Sequence, residues 1–178
     1  MESLRGKLLI SSPVLVDPNF RRTIVLISHH DDDGAMGLVL NRPTELKVGQ
    51  MVPELGELAF ADELVHLGGP VQSDAFVGLA EFSPDTDAVT VIGRVGLVPA
   101  DSMLTDLPID RLRIFAGYAG WGAGQLEGEI DDESWIIVDA EPDDVFAADG
   151  DALWRAIAHR KGGKYALIAT MPFDPRLN

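Results

Sequence analysis

The chain of 178 residues contains no cysteine. That excludes a disulfide framework, a thiol nucleophile, a Cys-ligated zinc site and an iron–sulfur cluster. No apolar run approaches the ~20 residues that span a bilayer. The opening MESLRGKLLI breaks its short apolar stretch with charge and offers no small-residue cleavage site, so it reads against a secretory leader and predicts a cytoplasmic protein. Basic residues are scarce, with 14 Lys and Arg against 29 Asp and Glu, a formal net charge of −15. From Ile114 to Trp154 there is no Lys or Arg at all. Such a field repels nucleic acid and anionic lipid at long range. The cations gather near the start, at Arg5, Lys7, Arg21 and Arg22, and near the end, at Arg155, Arg160, Lys161 and Lys164. Reaction motifs are missing too: no phosphate-binding G-x-x-x-x-G-K-[ST], no G-x-S-x-G elbow and no H-E-x-x-H.

What remains is an ordinary globular composition, 46% apolar and 24% charged. The length suits one domain, residues 1–178, with about two-thirds of its unfolded surface buried. Leu8–Ser11 is too short for a helix and reads as a strand ended by Pro13. Thr23–Ser28 is rich in β-branched residues and reads as a buried strand. His29–Gly34 reads as a polar loop closing on the turn pair Asp33-Gly34, with Met36–Leu40 as the second arm of a hairpin. Thr44 is placed to cap a helix carrying Leu46, Val48, Met51 and Leu55, with Pro53 shortening it. Leu64–Leu67, Ala75–Phe82, Val89–Ile92, Leu97–Val98, Leu112–Tyr118 and Ser134–Val138 read as strands. Asp101–Leu107 reads as a short helix, Gln125–Ile130 as a helical turn or two, and Glu141–Asp144 as a helix start with acids in its first turn. Asp149–Arg160 is the strongest helix, with Leu153, Trp154, Ile157 and Ala158 on one face. Tyr165–Thr170 fits either state. This order predicts an α+β domain with a mixed or antiparallel sheet.

Two glycine-rich segments are the candidate site. Gly117-Tyr118-Ala119-Gly120-Trp121-Gly122-Ala123-Gly124-Gln125 reads as a bend between a strand and a helix. Glycines there permit positive φ and close backbone approach. A loop opening a helix can cradle a phosphate, but Glu127, Glu129, Asp131 and Asp132 follow with no cation nearby, and that field opposes an anion. The bland reading packs Tyr118 and Trp121 against the core and leaves Gln125, Glu127 and Glu129 along a groove. Leu67-Gly68-Gly69-Pro70-Val71 forces a sharp turn at a strand end, just after His66. The two segments are expected to face each other across a pocket, with Asn41, Arg42 and Pro43 on the same ligand or partner surface. His29, His30 and Asp31 to Asp33 hold metal-ligating types, yet consecutive turn residues rarely converge on one ion. No metal and no cofactor is assigned.

Several long blocks carry a resemblance. They are Gly6–Ile10, Asp17–Phe20, Thr23–Ile27 with His30, Gly34–Pro43, Gly68–Val71, and Gly117–Glu127 with Glu129 and Trp135. Phe146, Trp154 and the ending Asp174–Asn178 follow. In these the chain resembles the YqgE/AlgH family of bacterial proteins, also called UPF0301. The resemblance spans nearly the whole chain, with little of the pattern between Ala80 and Asp110. It implies a bifurcated sheet folded into a pseudo-barrel with flanking helices, in a bacterial cytosolic protein. It implies no established activity and no catalytic residues, although some members carry a transcriptional-regulator label.

Three functions are weighed. The leading expectation is a non-catalytic binding or regulatory module with a protein or small-ligand partner. Direct DNA binding lacks a basic recognition helix and has the wrong sign of charge. The alternative is an enzyme in which His66, Asp74, Gln125 and Glu127 gather beside the glycine segments.

Overall fold

The computed structural model describes residues 2–15, 17–51, 60–147 and 150–171. The strands are β1 (Lys7–Ser11), β2 (Ile24–Asp31), β3 (Gly34–Val39), β4 (Pro43–Lys47), β5 (Leu64–Leu67), β6 (Val71–Phe82), β7 (Thr90–Ile92), β8 (Val95–Leu97), β9 (Ile109–Gly122) and β10 (Trp135–Asp139). The helices are α1 (Val48–Met51), α2 (Gln125–Asp131), α3 (Pro142–Val145), α4 (Gly150–Lys161) and α5 (Lys164–Ile168).

The main path of the sheet runs β10-β1-β2-β3-β9-β6-β8-β7, and every pairing along it is antiparallel. A branch leaves it at β9, where β5 pairs in parallel and carries β4 on its far side. The architecture is therefore α+β with a forked, curled sheet forming a half-barrel.

β1 and β2 read as unbroken apolar runs because both of their faces are covered. Leu8, Ile10, Ile24 and Leu26 pack on Leu153, Trp154, Ile157 and Ala158 of α4. Leu9, Val25 and Ile27 pack on the other side with Leu126 of α2, Trp121 and Trp135. A third cluster, with Val48, Val65, Ala80, Phe82, Leu112 and Ile114, fills the far end of the fork. Burying one such side chain contributes about 1.5–3 kcal/mol. Two helix faces and a sheet thus hold three apolar layers together.

Several expectations need correcting. The helix expected from Thr44 is mostly strand: Pro43 pairs with His66 and Lys47 with Leu64, and only Val48–Met51 is helical. The Thr44 hydroxyl donates to the Val65 carbonyl (2.8 Å), so it ties two strands together instead of capping a helix. Pro53, Leu55 and the ending 174–178 lie outside the described residues. The polar loop 29–34 is shorter than expected, because β2 runs to Asp31 and pairs with Gly34 across a two-residue turn. Asp101 caps nothing, since only Leu104–Asp106 forms a single 3-10 turn. The ambiguous stretch after Lys164 is the helix α5.

The glycine-rich bend is the largest correction. β9 continues through Gly117–Gly122 with a left-handed residue at Gly117, pairing Ala119, Gly120, Trp121 and Gly122 with Gly37, Met36, Ala35 and Gly34. Propensity counts glycine against a strand. Here two small-residue strands lie against each other, and tertiary pairing overrides that preference.

Candidate functional site

The two glycine segments do meet, but backbone to backbone. The Gly68 N–H donates to the Ala116 carbonyl (2.8 Å), and the Val39 N–H donates to the Gly68 carbonyl (2.8 Å). A Cβ on Gly68 would lie 2.3 Å from the Gly117 carbonyl oxygen. One on Gly117, whose φ is +68°, would lie 2.5 Å from the Gly69 oxygen. One on Gly69, at φ +155°, would lie 2.2 Å from the Tyr118 carbonyl carbon. These glycines form the crotch of the forked sheet, where β3 and β5 leave the same edge of β9. The expected pocket between them is closed, because the space is too small even for a methyl group. Pro70 stays exposed beside the crotch and Tyr118 half-buried. Gly120 and Gly122 are exposed, with nothing crowding Gly122.

Asn41, Arg42 and Pro43 also brace the fold. Asn41 is buried, accepts from the Ile24 N–H (2.8 Å), and donates to the carbonyls of Arg22 (2.8 Å) and Gly150 (3.1 Å). A single amide thus staples β2 to the start of α4. Arg42 donates to the Arg21 carbonyl (2.6 Å), and burial holds its guanidinium below the ordinary arginine value. Pro43 starts the β4 branch.

His66 sits on β5 with only 3% of its surface exposed, tilted against the Phe115 ring at 5.9 Å. Its Nδ1 donates to the Leu64 carbonyl (3.0 Å). Burial, then the nearby Arg113 cation, pushes the imidazole down to about 4. It is neutral at neutral pH and packed as a core residue. Arg113 is itself buried, donates to the Ala147 carbonyl (2.8 Å), and lies 3.8 Å from Glu63.

The conjectured gathering of His66, Asp74, Gln125 and Glu127 does not form. Asp74 is exposed on β6. Gln125 donates to Glu129 (3.0 Å) and accepts from the Gly122 N–H (3.1 Å). Glu127 accepts from His30. His66, Gln125 and Glu127 have separate partners, because β5 and α2 stand at different parts of the fork.

Two polar constellations escaped the sequence reading. In the first, one oxygen of Glu129 accepts from the indole N–H of both Trp121 (2.9 Å) and Trp135 (2.7 Å). Trp121, Trp135 and Phe20 pack around it, edge-on or tilted, at centroid distances of 5.6–6.3 Å. Trp121 is 7% exposed, so it anchors α2 to the sheet and does not line a surface cleft.

The second is His30 with Glu127. A one-residue bulge between Ile27 and His29 shifts the strand register, so that His30 pairs with Ala35 and turns inward while His29 stays outside. The Leu4 N–H donates to His30 Nδ1 (2.9 Å), so Nε2 carries the hydrogen and donates to Glu127 (2.7 Å). The Glu127 backbone N–H, then His30, holds that carboxylate below the usual range. Ser3, Asp31, Asp32 and Gly124 complete a cleft of about 110 Å³ around the pair. Both imidazole nitrogens are engaged, and no free one remains to take a proton from a substrate. Single-sequence reading had little purchase here, since the pair is separated by 97 residues and depends on the bulge. Among the described residues no three His, Asp or Glu side chains converge as a metal site would require.

A larger groove, about 540 Å³, lies beside the outer edge of β10 and is lined by Ile137, Val138, Asp139, Glu141, Arg160 and Lys161. Arg160 donates to Asp144 (2.7 Å) and pairs with Glu141 (3.2 Å). It also donates to the Asp139 carbonyl (3.1 Å), and Lys161 donates to the Ile137 carbonyl (2.8 Å).

The fold and its braces define an α+β protein built on a forked half-barrel sheet, in which Gly68, Gly69 and Gly117 are spent on backbone contact and His66, Trp121 and Trp135 on packing. The family model described as DUF179, AlgH-like, matches residues 8–166. A UPF0301 protein of Streptomyces coelicolor is 41% identical, covering 100% of this chain and 97% of its own length. One of Thermobifida fusca is 43% identical, covering 99% and 96%. The solution structure of the AlgH protein from Pseudomonas aeruginosa superposes with a TM-score of 0.73 at 30% identity, covering 96% of this chain and 95% of that one. A crystal structure from Corynebacterium diphtheriae, 24% identical, shares the fold with a TM-score of 0.86 over 96% and 93%. The chain belongs to the AlgH-like, UPF0301 family. Among the described residues no helix is long and apolar enough to cross a membrane.

Proposed function

We propose that this protein is a non-catalytic binding or regulatory module of the cytoplasm, a single domain over residues 1–178 that acts by engaging a partner. One observation carries the reading. The buried histidine–carboxylate pair, His30 and Glu127, has both imidazole nitrogens bonded within the protein. The glycine crotch leaves no room for a substrate, which weighs against an enzyme working between the two segments. A net charge of −15 weighs against direct contact with DNA and against a membrane surface. A regulatory role would then run through a protein or small-ligand partner.

A turnover screen over hydrolase and nucleotide substrates tests the proposal, using the wild type with His30→Gln and His66→Gln. The expected result is no turnover by any of the three. Turnover that one of these substitutions abolishes, with the melting temperature unchanged, overturns it.

A further inference from the structure

Among the described residues β10 is the last strand of the sheet on its side and pairs only with β1. Its register with β1 places Val138 opposite Leu8 and Ile136 opposite Ile10. The Ser12 N–H donates to the Ser134 carbonyl, so the even-numbered residues of β10 bond inward. Ile137 and Asp139 therefore point their backbone groups outward into the groove. Side chains of α4 meet the two carbonyls, Lys161 at Ile137 and Arg160 at Asp139. The outward N–H of Ile137 has no partner among the described residues.

The charges beside this edge are not equally matched. Asp139 pairs with Lys7 (2.5 Å), and Glu141 and Asp144 pair with Arg160. Among the described residues Lys161 has no carboxylate within ion-pairing distance; it donates to the strand carbonyl, and its charge reaches Asp139 only at longer range, where Lys7 already pairs with that carboxylate. A lysine over an edge is a familiar guard against strand addition. Here the guard is two side chains, of which Arg160 at the Asp139 carbonyl is tied down by Glu141 and Asp144, whereas Lys161 at the Ile137 carbonyl is exposed beside an open groove.

We propose that the outer edge of β10 takes up an extended peptide segment carrying a carboxylate side chain, by strand addition, with the Lys161 ammonium moving from the Ile137 carbonyl to that carboxylate. This deepens the binding reading above and rests on it. The peptide N–H replaces Lys161 at the Ile137 carbonyl, and a peptide carbonyl takes the free Ile137 N–H. Arg160 keeps its place, because Glu141 and Asp144 hold it. A second copy of this chain fits the edge poorly. An antiparallel β10–β10 joint centred on Ile137 brings the two Lys161 ammonium groups and the two Arg160 guanidinium groups together, and like charges there oppose it.

The test uses the full chain and short capped Thr/Val peptides with Glu, Gln, Lys or Pro at one central position. Amide exchange and chemical shifts are followed at Ile137 and Asp139. The Glu peptide is expected to slow exchange at Ile137, binding about two- to fivefold more tightly than the Gln peptide. The Lys peptide should bind more weakly still, and the Pro peptide should give no protection. Lys161→Glu should reverse the order of the Glu and Lys peptides. Ile137→Pro should abolish protection at Asp139, and Lys161→Glu carries the test if that variant does not fold. Equal binding of all four peptides overturns the proposal. So does no protection at about millimolar peptide, or protection that grows with protein concentration alone and so reports a second copy. These outcomes concern only the edge, whereas turnover in the screen above overturns the binding reading itself.

Discussion

His66 makes stability depend on pH in a way that can be worked out from its surroundings. The imidazole titrates at about 4 in the folded protein, against 6.5 when exposed. Above the exposed value both states are neutral and the stabilising packing is fully present. As pH falls, the unfolded chain takes up a proton that the folded chain refuses, so stability is lost between 6.5 and about 4. Integrating from about pH 7.5 to about pH 5 gives a loss of about 2 kcal/mol from this one group, rising to about 3 kcal/mol below the folded value. For a chain of this size that is about 4–8 °C of melting temperature. The assay is urea or thermal unfolding at both pH values, for wild type and His66→Gln. The variant is expected to be less stable at neutral pH, and its own loss on acidification should be smaller by about 2 kcal/mol. Comparing the two cancels every other titrating group. Arg113→Met removes the second cause of the shift and should move the His66 midpoint upward. Parallel pH profiles for wild type and His66→Gln would refute the reasoning, as would an imidazole NMR titration centred at the ordinary histidine value.

Two glycines of β9 are expected to respond differently to the same substitution. Gly117→Ala adds a methyl group at positive φ against the Gly69 carbonyl and should cost at least about 1–3 kcal/mol, whereas Gly122→Ala, with nothing within 4 Å, should change urea stability by about 0.5 kcal/mol or less. Glu129→Ala strands two buried indole N–H groups and should cost about 1–3 kcal/mol for each, with a red shift in tryptophan emission; Glu129→Gln keeps an acceptor and should cost less. Asn41→Ala leaves the Ile24 N–H unsatisfied and should lower stability by about 1–3 kcal/mol, read as faster amide exchange at Ile24 and at the start of α4.

Much of the architecture was legible in the residues. The β-branched run at Thr23–Ser28 and the apolar face of Leu153, Trp154, Ile157 and Ala158 announce their elements, because burial on one or two faces leaves a period in the chain. Glu141–Asp144 announces a helix start, and the capping box between Glu141 and Asp144 is there. Failures came where a distant partner decided. Pro43–Lys47 has no strand pattern of its own and is a strand because β5 pairs with it. The candidate residues divide in the same way. The sequence marked Gly68, Gly69, Gly117 and Trp121 as special, and they are, but as the crotch of a fork and the anchor of a helix. The His30–Glu127 pair, the two-indole carboxylate at Glu129 and the edge groove at Ile137 and Lys161 join residues far apart in the chain.

The sequence by itself determined the α+β class, the order of most elements, the absence of cysteine chemistry and the negative net charge. These depend on composition and on periods of two or about 3.6 residues, which are local properties of the chain. Only the tertiary structure decided what the signature residues do. A glycine that frees a loop and a glycine that lets two backbones touch look identical along the chain. Which of the two it is depends on the carbonyl standing opposite, and folding alone brings that carbonyl there.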